Sequence, residues 1–181
     1  MRAAGVSGRR VRHSAPAGQP RLASLPTVST ALRRGAFVVG LGSSVYWTFA
    51  VDYAVREGAH SAAEGRTLFL VVGLASIGGA LAGDLVRRLG GRLAFAASLA
   101  GLVASFHLLA ASAHSLGATL ASGALFGLGY NLVLAIQAIW SAHIFSDRPS
   151  AGLSAVMFAL GAGLLAGPAI GGAAPARRSR P

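Results

Sequence analysis

The chain is 181 residues long, 54% hydrophobic and only 12% charged, with a mean hydropathy of +0.61, 25 glycines and no cysteine. Soluble domains carry about 25% charged residues, so the composition argues against one, and the lack of cysteine excludes a disulfide-stapled module or a thiolate metal site. The net charge of +11 is concentrated at the ends: Arg2, Arg9, Arg10, Arg12, Arg21, Arg33 and Arg34 precede residue 35, and Arg177, Arg178 and Arg180 close the chain. Residues 1–34 hold no aromatic, which removes the basic-aromatic pattern of a nucleic-acid surface.

Residues 1–34 are rich in Arg, Ala, Ser and Pro and lack the apolar stretch of a signal peptide. They read as a disordered basic tail. Beyond them, residues 93–146 and 149–176 contain no Asp, Glu, Lys or Arg. A bilayer asks for about 20 apolar residues per helix at ~1.5 Å rise each, and the apolar blocks divide into five spans: 35–55, 67–83, 93–113, 117–143 and 150–172. The second is short and extends a few residues toward the N-terminus. An unpaired amide in hydrocarbon costs several kcal/mol, and no alternating pattern suggests a barrel, so the spans must be helices. The expected fold class is an all-α membrane protein, a polytopic helical bundle of about five transmembrane helices, with a basic tail at 173–181.

Arginine sets the orientation, since cytoplasmic loops hold the excess. Arg33 and Arg34 precede the first span, and Arg87, Arg88 and Arg92 separate the second from the third. The 56–66 loop is balanced by Glu57 and Glu64, and the turn at His114 is uncharged. The N-terminus is therefore expected on the cytoplasmic side of a cell membrane, a bacterial inner membrane by preference. Alternation then puts the C-terminus outside, against Arg177, Arg178 and Arg180. That conflict favours a missing further helix, and the tail APARRSRP reads as an abrupt end, a truncation or a frame change.

In the first span Ser44, Thr48 and Asp52 repeat every four residues and form one polar stripe. An intramembrane aspartate is a candidate for proton coupling or cation binding, although Asp52 lies close enough to the span's end to be interfacial instead. GLGSS at 40–44 lacks the lysine of a phosphate loop.

The turn GALAGDLVRRLGGR at 79–92 places small residues, Gly79 and Gly83, before a basic cluster. It resembles the repeated cytoplasmic loop of the major facilitator superfamily, a glycine followed by Asp-Arg, one residue, Gly and a basic pair. Gly83, Arg88, Gly90 and Arg92 match. The family's aspartate column holds Arg87, and the nearest acid is Asp84, spaced to pair with Arg88 across four residues. A second match is GLLAGPAIGG at 163–172: Gly163, Gly167, Pro168, Gly171 and Gly172 resemble the glycine-proline signature that many antiporters of the superfamily carry in their fifth helix. Pro168 also bends a helix simply as a kink, and glycines four apart open a flat packing face. The resemblance covers about 35–172, five helices of a twelve-helix fold. The fourth span lacks the arginine common in the N-terminal half, which favours helices seven to eleven.

The fourth span carries YNLVLAIQAIWS at 130–141. Tyr130, Gln137 and Ser141 share a face, with Asn131 and Trp140 at its border. Such groups suit a cavity for a small organic solute, and the superfamily lines its pathway with this helix; plain helix-to-helix hydrogen bonding is the other reading, at about 0.6 kcal/mol on average. His107, His114 and His143 have no zinc-site spacing, and neither a nucleophile elbow nor paired carboxylates suggest hydrolysis.

The resemblance implies secondary transport of a small solute, driven by an ion gradient or facilitated, with no enzyme chemistry and no cofactor. The implied partners are the lipid bilayer, a small-molecule substrate with proton coupling as one option, and a missing transporter half or a second copy of the chain. A non-transporting membrane scaffold or a truncated gene product is the alternative.

Overall fold

The computed structural model describes residues 25–58, 60–112 and 114–172. The tails 1–24 and 173–181, including the three C-terminal arginines, lie outside them. The described residues are all-helical, with no strand. The helices are α1 (Leu25–Arg56), α2 (Ala62–Ser76), α3 (Ala82–Leu89), α4 (Gly91–Ala111), α5 (Leu116–Ile144) and α6 (Pro149–Gly172), and a 3₁₀ stretch, Ile77–Leu81, joins α2 to α3.

Four helices are long and apolar enough to cross a membrane: Ala62–Leu89 taken through the 3₁₀ stretch, Gly91–Ala111, Leu116–Ile144 and Pro149–Ile170. These make a multi-pass membrane protein. The fifth expected span, in α1, is not among them, because its centre runs Ser43, Ser44, Val45, Tyr46, Trp47, Thr48 and dilutes the apolar stretch. α1 also begins ten residues before the expected span, so residues 25–34 are helix rather than tail. Pro26 suits a first turn, where its missing N–H is not needed. Leu32 and Ser29 are buried, so this segment is held by packing.

Helix ends follow local chemistry. Ser61 caps α2 in a capping box with Glu64, and the Ser115 side chain accepts from the Ala118 N–H at the start of α5. Gly90 adopts φ 78° between α3 and α4, a left-handed conformation that glycine enters without steric cost.

α5 is the centre of the bundle: 56% of its apolar window is buried, against 11–28% in the other three spans. It runs antiparallel to α1 and α4, since Tyr46 meets Ser122 while Leu32 and Gly35 share a cavity with Gln137 and Ile144, and Gly129 meets Ser98 and Leu102 while Gly91 meets Trp140. Tyr46 stacks on Phe126 with centroids 3.9 Å apart. The Ser122 hydroxyl donates to the Ser105 carbonyl at 2.8 Å and so accepts from the Tyr46 hydroxyl, also at 2.8 Å. One hydroxyl chain thus joins α1, α5 and α4.

Two helix pairs, α1/α6 and α5/α2, are parallel and close on glycine. A Cβ on Gly40 of α1 would overlap the Leu160 carbonyl of α6, and one on Gly163 would overlap the Phe37 carbonyl. A Cβ on Gly127 of α5 would overlap the Val72 carbonyl of α2. The sequence around these contacts repeats: Gly40-Leu41-Gly42 recurs as Gly127-Leu128-Gly129. Four residues after the first glycine of each, Ser44 opposes Gly167 of α6 and Asn131 opposes Gly79 of the 3₁₀ stretch. The α1/α6 and α5/α2 pairs thus close on glycine in a similar way, and because α1 and α5 are antiparallel the two pairs run in opposite directions.

Gly163→Leu should push α6 off α1 and lower stability by about 1–3 kcal/mol, as overpacking does. Gly161→Ala, on the same helix but with nothing within 4 Å of an added Cβ, should be neutral or stabilising by about 0.5–1 kcal/mol. Thermal unfolding in detergent checks both; equal effects would contradict the close approach.

Candidate functional site

The first expected stripe does not stay together. Ser44 is buried against Gly167, and its hydroxyl donates to the Leu41 carbonyl at 2.6 Å. Thr48 is exposed, and Asp52 is exposed and paired with Arg56 at 2.7 Å, an i, i+4 contact at the end of α1. Such an exposed pair contributes about 0–1 kcal/mol. The structure thus turns Ser44 to helix packing and gives Asp52 a partner on its own helix.

In the turn region, Gly79 sits where a Cβ would come within 2.9 Å of the Asn131 Cβ. Asp84 pairs with Arg87, three residues on, and not with Arg88, which is exposed. Gly83 has only the Arg87 guanidinium near it, at 3.9 Å from an added Cβ. Gly90 is the left-handed turn, and Arg92 belongs to a cavity described below. Of the α6 glycines, Gly163 and Gly167 contact α1, Pro168 lies inside the helix, and Gly171 and Gly172 end it.

The α5 residues divide in two. Tyr130 is buried in the aromatic cluster, stacked on Phe126 at 5.6 Å and edge-on to Trp47 at 6.0 Å. The Asn131 carboxamide donates to the Ser76 hydroxyl at 2.8 Å and to the Gly127 carbonyl at 3.1 Å, tying α5 to the end of α2. These two serve packing. Gln137 and Ser141, one turn apart, are almost wholly buried, and neither the Gln137 carboxamide nor the Ser141 hydroxyl has a hydrogen-bond partner among the described residues. The hydroxyl of Ser43 on α1 shares that condition.

An unpaired buried polar group costs about 1–3 kcal/mol, and in a native structure it calls for an explanation. Gln137 borders a cavity, although its carboxamide nitrogen and oxygen expose almost no surface to it. The cavity, of about 550 Å³, is otherwise lined by Ala31, Leu32 and Gly35 of α1, Gly91, Arg92 and Phe95 of α4, and Trp140, His143 and Ile144 of α5. That volume falls within the usual range for small-molecule sites, about 300–1,000 Å³. Gln137 lies seven residues before the end of α5, ~10 Å along the helix axis, too deep for routine contact with headgroup water. The lining is mostly apolar with a few polar groups, the composition that binding sites favour.

The polar groups come from two helices. Arg92 is exposed and stands two residues after the Gly90 break, so its position depends on the sharp α3–α4 turn. The His143 ring nitrogen Nδ1 lies 2.7 Å from the Ile139 carbonyl; a carbonyl only accepts, so Nδ1 carries the hydrogen and Nε2 is left for another contact. Trp140 packs on Phe95 at 5.1 Å between centroids, and its Nε1 is 2.8 Å from an added Cβ on Gly91. Arg92 and His143 did not figure among the expected pathway residues: the periodicity of one helix does not disclose what a neighbouring helix brings to its end. Among the described residues no cluster of His, Asp or Glu could hold a metal.

Comparison of the chain with known protein families, with curated proteins and with solved structures finds no match.

Gln137→Met keeps the length of the side chain and removes the unpaired carboxamide. It should raise stability without ligand by about 1–3 kcal/mol, read as a higher unfolding temperature in detergent. A fall would show that the carboxamide has a partner and is a structural element.

Proposed function

We propose that the chain is a membrane transporter of major-facilitator type that carries a small solute by a secondary mechanism, ion-gradient-driven or facilitated. The observation that carries this reading is the cavity of about 550 Å³ inside a bundle of membrane-length helices, with the buried, unpaired Gln137 carboxamide behind its wall. A protein whose role is to stay assembled gains nothing from leaving such a group unsatisfied. In this reading α1 is a fifth span. It runs parallel to α6 in backbone contact, so it crosses wherever α6 crosses. Rocking about the site needs a second bundle to move against, supplied by a partner half or a second copy.

The charge distribution supports a cytoplasmic N-terminus in a bacterial inner membrane. Arg33, Arg34, Arg87, Arg88, Arg92 and Arg148 stand at one end of the bundle against Asp84 and Asp147; at the other, Arg56 and Arg66 meet Asp52, Glu57 and Glu64. The arginine-rich end belongs inside.

The scaffold reading draws on a specific observation too. Ser44, Tyr130 and Asn131, expected to line the pathway, are occupied in helix packing, and Gly163 and Gly167 serve the packing role expected of them. Uptake decides between the two. Full-length chain in proteoliposomes should accumulate at least one labelled solute from a panel of sugars, amino acids, carboxylates and amines under an imposed proton gradient, and Gln137→Met should reduce that uptake at least tenfold. No accumulation of any solute would leave the scaffold reading.

Topology has its own test, since the chain contains no cysteine. In intact cells Glu57→Cys should react with a membrane-impermeant maleimide and Arg88→Cys should react only after permeabilisation. The reverse pattern would invert the orientation.

A further inference from the structure

The arginine-rich end of the bundle and the cavity are one place. The cavity opens between the start of α1, the start of α4 and the last two turns of α5, the same end that gathers Arg33, Arg34, Arg92 and Arg148. Its lining includes one permanent cation, Arg92, and no carboxylate. Of the two acids at this end, Asp84 is held by Arg87 and Asp147 lies in the turn between α5 and α6. Arg92 has no ion-pair partner among the described residues. A cleft lined by one sign of charge within low-dielectric walls concentrates the opposite charge and repels its own.

We propose that this cavity binds a small organic anion with an apolar body, its charged head at Arg92 and its body against Leu32, Phe95 and Trp140. The inference deepens the transport reading and shares its cavity, by naming the class of solute. The residue types sort the candidates. A guanidinium presents several donors to a carboxylate or a phosphate monoester in a fixed fork. A cation meets Arg92 and finds no counter-charge in the lining. A sugar needs many more hydrogen-bonding groups than Gln137, Arg92, His143 and the Trp140 indole supply. The broad apolar wall instead rewards an aromatic or branched aliphatic body.

An anionic head with an apolar body belongs to free organic acids and to anionic lipids alike, so the test separates these sources. Trp47 and Trp140 are the two tryptophans, and only Trp140 lines the cavity. Full-length chain carrying Trp47→Phe, in nanodiscs of zwitterionic lipid, therefore reports on the site through Trp140 emission. Titration with 1-naphthoate should give a saturable change, with affinity at least tenfold higher than for 1-naphthylmethylamine or 1-naphthalenemethanol. Arg92→Gln should weaken naphthoate at least tenfold and leave the alcohol unchanged, whereas Arg92→Lys should keep most of the affinity. Because Arg92 is exposed, neither substitution threatens folding, and an unchanged unfolding temperature verifies that.

Repeating the titration in nanodiscs rich in phosphatidylglycerol assigns the source. Unchanged naphthoate affinity supports a free solute, and competitive loss supports a lipid headgroup in the same anion site. Equal or tighter binding of the amine, an Arg92→Gln chain that binds naphthoate normally, or no saturable response in zwitterionic discs overturns the proposal. Binding without uptake in proteoliposomes would remove the transport reading and leave the anion site standing. Uptake of an amine or sugar without naphthoate binding would do the reverse.

Discussion

Lipid tails are as apolar as leucine, so helices inside a bilayer gain little by burying leucine against one another; their association rests on how closely their backbones approach and which hydrogen bonds cross between them. In this protein that constraint is met at Gly40, Gly163 and Gly167 between α1 and α6, and at Gly79 and Gly127 between α5 and the α2 segment. The aromatic cluster of Tyr46, Phe126, Trp47 and Tyr130 and the Tyr46–Ser122–Ser105 chain then fix α1 and α4 on α5. The cavity is the space these contacts leave open at one end.

The two parallel pairs have unequal surroundings. Gly129, two residues after Gly127, takes the backbone of α4, with an added Cβ 2.9 Å from the Leu102 nitrogen and 3.0 Å from the Ser98 carbonyl. Its counterpart Gly42 has nothing within 4 Å. So α5 is enclosed and α1 is open on one flank, and this inequality goes with the burial of Gln137 and Ser141 on α5 and the exposure of Thr48 and Asp52 on α1. Which polar residues are free to meet a solute is decided by neighbours, not by helix periodicity.

Much of this was legible from residue patterns. Long uncharged blocks locate helices to within a few residues, because no other structure satisfies their backbones in hydrocarbon. Three things were not legible in the same way. The start of α1 at Leu25 is hidden by the arginines and small residues around it, and packing of Leu32 and Ser29 overrides that composition. Asp84 has arginines both three and four residues away, and spacing alone does not choose between Arg87 and Arg88. The stripe Ser44, Thr48, Asp52 is real as a stripe, but it runs out of the α1/α6 contact within one turn. The repeated Gly-Leu-Gly is plain in the letters, yet it acquires meaning only when each first glycine is seen against a partner's carbonyl.

The 3₁₀ stretch at Ile77–Leu81 sets where the charged turn faces. Five residues wound at three per turn instead of 3.6 rotate α3 by roughly 100° and carry it about 2.5 Å further along the axis than an uninterrupted α-helix would. That rotation brings Ala82, Leu85 and Val86 into the cluster with Ala94, Leu132 and Ile136, while Arg87 and Arg88 remain exposed. A single overwound turn in an otherwise regular rod thus acts as a phase shifter: it lets one continuous apolar segment press one side on α5 along most of its length and a different side at its tip.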